Sequence, residues 1–217
     1  MSDVDLTTPS ASPASEAAAP ARKRPKPGER RVQILQALAT MLEQPGAERI
    51  TTAALAARLE VSEAALYRHF ASKAQMFEGL IEFIEQTVFS LVNQITERET
   101  DGADAGIRQA GKVVHMLLQF AEKNPGMTRV MVGDALVFEN ERLQQRMNQF
   151  FDKIESTLKQ SLRGAADANG SATPSVDAQV RASALTAFVV GRLQRFARSG
   201  FKRAPSEYLE ARLALML

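Results

Sequence analysis

Residues 51–73, TTAALAARLEVSEAALYRHFASK, constrain the fold more than any other part of this sequence. They contain two short helical patterns that are separated by a tight polar break. In the first pattern, Leu55 and Leu59 lie four residues apart in an alanine-rich segment, so the helix has one apolar edge. Ser62 is a favourable N-cap for a second helix that continues to Phe70. Two helices joined by about three residues predict a helix-turn-helix.

The second of these helices presents an unusual outer surface. If Leu66 and Phe70, one helical turn apart, face inward, then a phenol, a guanidinium and an imidazole lie together on the outside. Small residues at the start of the helix allow close approach to base edges, whereas Tyr67, His69 and Lys73 can reach phosphate oxygens. An ordinary surface helical hairpin would produce the same two helices. The candidate DNA-binding residues are Thr51, Thr52, Ser62, Glu63, Ala64, Ala65, Tyr67, Arg68, His69 and Lys73.

The run ITTAALAARLEVSEAALYRHFASKAQMFEGL resembles the DNA-binding signature of the TetR-type regulators, in which Leu-Tyr-x-His-Phe closes the recognition helix and a lysine follows. The matching residues here are Leu66, Tyr67, His69, Phe70 and Lys73. The resemblance implies an all-α, TetR-like fold with an N-terminal three-helix helix-turn-helix domain and a C-terminal helical dimerisation domain. It also implies a homodimer on pseudo-palindromic double-stranded DNA, with recognition helices about 34 Å apart.

Three later segments, GLIEFIE, KNPGMTR and FENERLQQRMNQFF, resemble the nucleoid occlusion factors within that family, and the resemblance covers residues 30–217. It implies that the DNA-bound dimer antagonises assembly of the tubulin-like division protein FtsZ, so that division does not cut across the chromosome. Ligand-responsive transcriptional repression is the commoner occupation of TetR-type proteins, and it stays open as the alternative.

Positive charge is concentrated around the helix-turn-helix. The net charge of the chain is +2, but residues 22–75 contain ten Lys or Arg and five Glu, a local balance of +5. This bias favours a polyanionic partner, because binding releases counterions from DNA. The chain has no cysteine, and none of its apolar runs approaches the ~20 residues that span a bilayer. We expect a cytoplasmic, nucleoid-associated protein that does not enter the membrane.

Composition and periodicity divide the chain into three parts. Residues 1–28 form a tail rich in Ala, Ser, Pro and Thr, which cannot bury enough apolar surface to fold and is expected to be disordered. The end of this tail enters a basic arm, RKRPKPGERR, which is either a solvated charge run or an arm that follows the DNA backbone. Residues 29–73 are the helix-turn-helix DNA-binding domain, and residues 74–217 are the helical domain for dimerisation and partner binding.

Apolar spacing predicts the remaining helices. Residues 29–43 form the first helix. Ser72 and Gln75 make a capping box that opens a long helix, which runs to about Arg98. The further segments are helices over 107–122, 134–163 and 176–199, a flexible loop over 164–175, and a short final helix capped near Ser206.

The helix over 134–163 carries an apolar face too long for one small domain to cover. TetR-type proteins pack two such terminal helices from each subunit into a four-helix bundle. In the helix over 176–199, small side chains would let a partner helix approach closely. The residues expected at this contact are Ala184, Ala187, Phe188 and Gly191, with Arg192, Arg195 and Arg198 along the rim.

The long helix that Ser72 opens has two aromatic side chains, Phe83 and Phe89, outside its apolar stripe. Such a side chain is either a second packing edge or part of a partner surface. The predicted stripe consists of Phe77, Leu80, Ile81, Ile84, Val88, Leu91 and Ile95. The resemblance implies that FtsZ is held along this helix and its neighbour, although Leu91 stands where a polar contact residue is expected. The candidate partner-binding residues are Phe83, Met116, Gln119, Lys123 and Asn124.

The sequence contains no pattern typical of a catalytic site, such as a Gly-rich phosphate loop or HExxH. His115 has no second histidine, cysteine or pair of carboxylates at ligand spacing, which favours a packed or surface role over metal binding. We expect a protein that is not an enzyme and that uses no cofactor or metal.

Overall fold

The computed structural model describes residues 28–44 and 50–217, and all regular secondary structure in these ranges is helical. The all-α prediction is therefore confirmed. Residues 1–27, with the predicted tail and most of its basic arm, lie outside the described residues. The helices are α1 (Glu29–Leu42), α2 (Thr52–Arg58), α3 (Glu63–Tyr67), α4 (Lys73–Arg98), α5 (Ala105–Lys123), α6 (Pro125–Met131), α7 (Glu141–Ala168), α8 (Pro174–Arg198) and α9 (Leu209–Met216).

Helices α1, α2 and α3, here called the head, share one apolar core. Thr51 caps α2, because its hydroxyl oxygen accepts a hydrogen bond from the backbone N–H of Ala54 at 3.1 Å. Ser62 caps α3 in the same way through Ala65, at 3.3 Å. Between the two helices Glu60 has a left-handed φ of 54°. The buried residues of the head include Ile34, Leu38, Leu42, Leu55, Leu66 and Phe70.

Helix α3 ends at Tyr67, three residues before the predicted end at Phe70. The backbone N–H groups of His69 and Phe70 both donate to the carbonyl of Leu66, so the chain tightens into a turn there. The inward positions agree with the prediction: Leu66 and Phe70 are buried and Val61 is half-buried.

Helix α4 connects the head to the remaining helices. Ser72 caps it through the backbone N–H of Gln75 at 3.2 Å, as predicted. The Gln75 side chain, however, accepts its hydrogen bond from Ala71, one residue before the cap. The predicted stripe is buried as far as Val88, after which Val92 is the buried position. Leu91 and Ile95 are only half-buried, because they border a groove between α4 and α5.

Helix α6 was not predicted, since the predicted helices over 107–122 and 134–163 leave the residues between them without one. The side chain of Asn124 donates to the carbonyl of Phe120 at 2.7 Å, and Pro125 then begins α6. A Cβ atom added at Gly126 would lie 1.9 Å from the carbonyl oxygen of Ala39, so α6 packs directly against α1. The residues Asn124, Pro125 and Gly126 therefore lie at the contact between the head and the remaining helices.

The predicted bounds of the next helix were wrong at both ends. Residues Asp134–Leu136 form a 3₁₀ turn, and α7 begins only at Glu141, where Asn140 caps it. At its other end α7 continues to Ala168, through part of the predicted loop over 164–175. Alanine favours helix, and Ala165 packs into a buried position there. The connection to α8 is therefore only residues 169–173.

The long helices alternate in direction. The start of α7 lies beside the start of α4, since the Arg142 guanidinium pairs with the Glu78 carboxylate. We call this end, next to the head, the head end. At the opposite end, the far end, the Gln109 amide of α5 donates to the carbonyl of Thr96 near the end of α4. Helices α5 and α8 run back, so both finish at the head end.

Two predictions about the last helices were wrong. Arg192 does not face outward on a bundle rim, because it is buried and its guanidinium donates to the carbonyls of Ala204 (2.7 Å) and Pro205 (2.8 Å). Ser206 does not cap α9. Its hydroxyl donates to the Glu122 carboxylate at 2.5 Å, and α9 begins only at Leu209.

Candidate nucleic-acid interface and partner surface

The outer side of α3 and the turn after it carry three exposed polar side chains, Tyr67, Arg68 and His69. Tyr67 is an aromatic ring that is 46% exposed. Glu63 and Ala64 at the start of α3 are also exposed, and Ala65 is half-buried. The surface combines hydrogen-bonding groups with a small-residue edge, a combination suited to a DNA groove.

Four predicted DNA-binding residues also hold the two helices of the motif in place. The hydroxyl oxygens of Thr51 and Ser62 accept the capping hydrogen bonds of α2 and α3. The Thr52 hydroxyl donates to the Glu63 carboxylate at 2.6 Å, which links the first residue of α2 to the first residue of α3. A capping hydroxyl keeps its own O–H available for a phosphate oxygen.

Arg31 of α1 was not among the candidate residues, although it belongs to the predicted basic arm. Its guanidinium donates to the carbonyl of His69 at 3.0 Å and lies 4.2 Å from the ring centroid of Phe70. The side chain is exposed. It therefore adds a fixed positive charge directly beside the turn that ends α3.

Lys73 does not extend freely into solvent. Its ammonium nitrogen lies 2.5 Å from a carboxylate oxygen of Glu139, in the segment between the 3₁₀ turn and α7. The same nitrogen lies 5.7 Å from the ring centroid of Phe77. The residue that the signature associates with DNA therefore also connects the start of α4 to the start of α7.

The candidate partner residues lie on the side of the molecule formed by α4 and α5. Phe83 is 46% exposed, Gln119 and Lys123 are exposed, and Met116 is half-buried. Asn124 is half-buried, and its amide nitrogen is occupied by the carbonyl of Phe120. By contrast, Phe89 is a packing residue, because its ring meets the buried ring of Phe150 edge-on at 5.5 Å.

A groove of about 240 Å³ separates α4 from α5 on this side. Leu91, Ile95 and Met116 provide its apolar lining, and Lys112 stands at its edge. The Lys112 ammonium and the Arg108 guanidinium hydrogen-bond to the Glu99 carboxylate and lower its pKa. Because α4 and α5 are antiparallel, Phe83 and Lys123 both lie nearer to the head end than this groove does.

A row of small and apolar side chains is exposed along α8. Val176 and Val180 are 60% and 63% exposed, and Ala184 and Ala187 are exposed as well. A Cβ atom added at Gly191 would meet nothing within 4 Å. The predicted contact helix is therefore open to close approach, and Phe188 is half-buried beside it.

A cleft of about 590 Å³ lies at the far end, between α4, α5 and α7. Its lining includes the uncharged polar side chains of Asn93, Thr96, Gln109 and Ser161, together with Glu99. Across residues 28–44 and 50–217, no cluster of three or more His, Asp or Glu could hold a metal ion. None of the helices in these ranges is long and apolar enough to cross a membrane.

Comparison with known protein families gives two matches, one for the helix-turn-helix region and one for the C-terminal helices. Residues 34–80 match the family described as bacterial regulatory proteins, tetR family. Residues 105–217 match the SlmA-like family described as Tetracyclin repressor-like, C-terminal domain.

Curated relatives extend this similarity over most of the sequence. The nucleoid occlusion factor SlmA of Aliivibrio fischeri (strain MJ11) is 52% identical over 193 residues, which is 88% of this chain and 96% of the relative. The protein of the same name from Vibrio cholerae serotype O1 is 51% identical over 188 residues, 86% of this chain and 93% of the relative.

Solved structures share the fold. The TetR family regulator PfmR from Thermus thermophilus has a TM-score of 0.67 at 22% identity, covering 85% of this chain and 97% of that one. FadR from Bacillus subtilis, in complex with stearoyl-CoA, has a TM-score of 0.66 at 14% identity, covering 85% and 96%. This protein belongs to the TetR family of bacterial regulators, within the group of SlmA nucleoid occlusion factors.

Proposed function

We propose that this protein is a nucleoid occlusion factor, which binds specific DNA sequences as a homodimer and, while bound, antagonises FtsZ assembly in the cytoplasm. The observation that carries the proposal is similarity over 88% of the chain to relatives with that name. The proposal includes no catalytic step. In this function residues 1–28 are the tail, residues 29–73 bind DNA, and residues 74–217 form the dimer and bind the partner.

In this proposal the outer surface of α3 enters the major groove. The small side chains of Ala64 and Ala65 approach base edges, and Tyr67, His69 and Lys73 contact phosphates. Arg31 adds a phosphate contact, because its guanidinium is held beside His69. Replacing Tyr67, His69 or Lys73 by alanine should weaken binding to many sequences and flatten its salt dependence.

The row of exposed small and apolar side chains on α8 supports dimerisation through α7 and α8 of each subunit. Val180, Ala184, Ala187 and Gly191 recur at steps of three and four residues, so they share one face of α8. A second copy would cover this face. The dimer would present two heads to one side of the duplex, about one helical turn apart, and would require a pseudo-palindromic site.

The α4–α5 side is the proposed FtsZ surface. Phe83 is exposed without a place in the core, and the nearby groove offers an apolar lining beside the Lys112 ammonium. An apolar peptide segment with acidic residues would fit such a surface. Gln119 and Lys123 extend the surface toward the head end, whereas Asn124 has a structural role through its amide.

The decisive experiment measures FtsZ filaments by light scattering with the protein bound to its DNA site, after selecting that site from random-sequence duplexes. The expected result is reduced scattering that needs both protein and cognate duplex. A scrambled duplex of equal length is the control. Unchanged scattering with saturated cognate DNA would contradict the proposal.

The alternative is a ligand-responsive repressor that uses the far-end cleft of about 590 Å³. Its lining is mainly uncharged and polar, apart from Glu99, and would suit a small polar ligand. This function predicts that a ligand releases the protein from its DNA site while FtsZ scattering does not change. The scattering experiment therefore separates the two functions.

A further inference from the structure

The stretch from Ala178 to Ser206 contains six Lys or Arg and no Asp or Glu. Four of these basic residues lie at or just beyond the end of α8, and all four are exposed. They are Arg195, Arg198, Lys202 and Arg203, here called the α8-end patch. Within the described parts of the chain, none of the four side chains forms an ion pair.

The turn that displays Lys202 and Arg203 is rigidly built. The Ser199 hydroxyl oxygen accepts hydrogen bonds from the backbone N–H groups of both residues, at 3.1 and 3.0 Å. Phe201 has a left-handed φ of 63°, and its ring packs edge-on against Phe196 at 5.1 Å. A bulky residue in this region is strained, and the surrounding contacts hold it there. The backbone positions of Lys202 and Arg203 are therefore fixed by this turn.

Charges of both signs surround the patch. Burial lowers the pKa of the neighbouring Arg192, and the charges of Arg212 and Arg195 lower it further. The Glu207 carboxylate, 4.0 Å from the Arg192 guanidinium, and the Glu122 carboxylate act in the opposite direction. An anion that approached the patch would be attracted by several positive charges at once.

The patch lies at the head end of the molecule. The Arg129 guanidinium of α6 stands 5.2 Å from the ring centroid of Phe201, and α6 packs against α1 at Gly126. The Glu122 carboxylate at the end of α5 accepts the Ser206 backbone N–H at 2.9 Å. The end of α8 is therefore tied to the helices that rest on the head.

Arg195 and Arg198 also continue the exposed face of α8. They follow Ala187 and Gly191 at helical steps of four and three residues. In the proposed dimer, pairing of this face would bring the patches of the two subunits together near the dyad. The positive charges of both patches would then repel one another unless a polyanion neutralised them.

We propose that the α8-end patch binds the DNA backbone at the centre of the site, between the two heads. This inference rests on the proposed DNA-bound dimer and adds a second contact surface to it. A duplex that joins the two recognition helices must pass below the dyad, on the side that the head ends face. The patch would contribute affinity without base specificity, because phosphates carry no sequence information.

The test compares two charge-matched variants of the full chain. One is Lys202→Gln with Arg203→Gln, which leaves the exposed face of α8 intact. The other is Arg163→Gln with Arg181→Gln, which removes two exposed charges at the far end. Fluorescence anisotropy measures binding to a mixed-sequence duplex about four helical turns long, between about 50 and 200 mM salt.

The Lys202/Arg203 variant should bind about tenfold more weakly at intermediate salt, and its salt slope should fall by about 0.9 for each phosphate that the variant no longer neutralises. The Arg163/Arg181 variant should keep nearly the slope of the unmodified protein. Equal slopes for the two variants would overturn the inference and leave the proposed function standing. Equal slopes, together with a loss of FtsZ co-sedimentation for the Lys202/Arg203 variant alone, would also overturn it, in favour of an acidic protein partner.

If the unmodified protein bound no DNA, the proposed function itself would fail, and the inference with it. The variant Tyr67→Ala provides the remaining comparison. It should weaken binding through the head while keeping the contribution of the α8-end patch to the salt slope.

Discussion

The Lys73 ammonium lies 2.5 Å from a carboxylate oxygen of Glu139, and the Glu139 side chain is only 8% exposed. One partner follows the recognition helix, and the other precedes α7. The lysine that the TetR signature places at DNA is therefore already paired within the protein. Binding a phosphate requires Lys73 to exchange or share this carboxylate.

Replacing Glu139 by glutamine should tighten DNA binding by about two- to fivefold, because a partly exposed ion pair of about 0.5–1 kcal/mol no longer competes with phosphate. Anisotropy titrations with the selected DNA site measure the change. Lys73→Gln is the opposing control and should weaken binding. Unchanged affinity of the Glu139 variant would show that the pair does not compete with DNA.

Gly126→Ala should destabilise the protein by about 1–3 kcal/mol or more, because the new Cβ would meet the carbonyl oxygen of Ala39 at 1.9 Å. Gly164→Ala is the matched control, since a Cβ there meets nothing within 4 Å. That change should add about 0.5–1 kcal/mol by favouring helix. Urea unfolding of both variants checks the contrast, and equal stabilities would contradict it.

Phe83→Ala should abolish the effect on FtsZ scattering while leaving DNA affinity and stability nearly unchanged. Phe83 is 46% exposed, and a surface substitution typically shifts stability by less than about 0.5 kcal/mol. Phe89→Ala is the comparison and should cost about 2 kcal/mol or more, because its ring packs on Phe150. An active Phe83 variant would remove this residue from the partner surface.

Val180→Glu should convert the dimer to monomers, because it places a charge on the exposed α8 face. Sedimentation equilibrium measures the mass, and DNA binding should weaken in parallel. Leu215→Glu is the control, since Leu215 is 88% exposed and lies on α9 rather than on α8. A dimeric Val180 variant would place the subunit contact elsewhere.

Asp177→Asn should lower stability at neutral pH and have little effect in acid. Hydrogen bonds from the Ser171 and Thr173 hydroxyls lower the pKa of Asp177 below its ordinary value of 3.8. A carboxyl whose pKa is lower in the folded state stabilises the fold above the unfolded value, and the contribution disappears as pH falls through the folded value. Urea midpoints at pH 7 and at a pH below the folded pKa of Asp177 test this, and a difference that persisted at the lower pH would contradict it.

Local chemistry was sufficient to predict the parts of this protein that depend on a few consecutive residues. Ser62 and Ser72 cap the helices that they were expected to cap. A capping hydroxyl acts on a backbone N–H two or three residues away, so the sequence pattern contains the whole interaction. The inward residues Leu66 and Phe70 followed from helical spacing for the same reason.

Other features depended on contacts between segments far apart in the chain. Arg192 was expected on a bundle rim, but the carbonyls of Ala204 and Pro205 turn it inward. Helix α6 was missed because its Asn-Pro-Gly start resembles a turn until α1 is packed against it. No local sequence pattern predicts which backbone carbonyl or carboxylate group will contact a given side chain.

The sequence by itself therefore determined the helical class, the two helices of the DNA-binding motif and the positive charge around them, since propensity, capping and composition act locally. Only the tertiary structure decided that Lys73 pairs with Glu139, that Phe83 is exposed while Phe89 packs, and that the basic end of α8 lies beside α6 at the head end. These properties arise when antiparallel helices bring distant residues together, and the free energy of each contact depends on partners that sequence spacing does not specify.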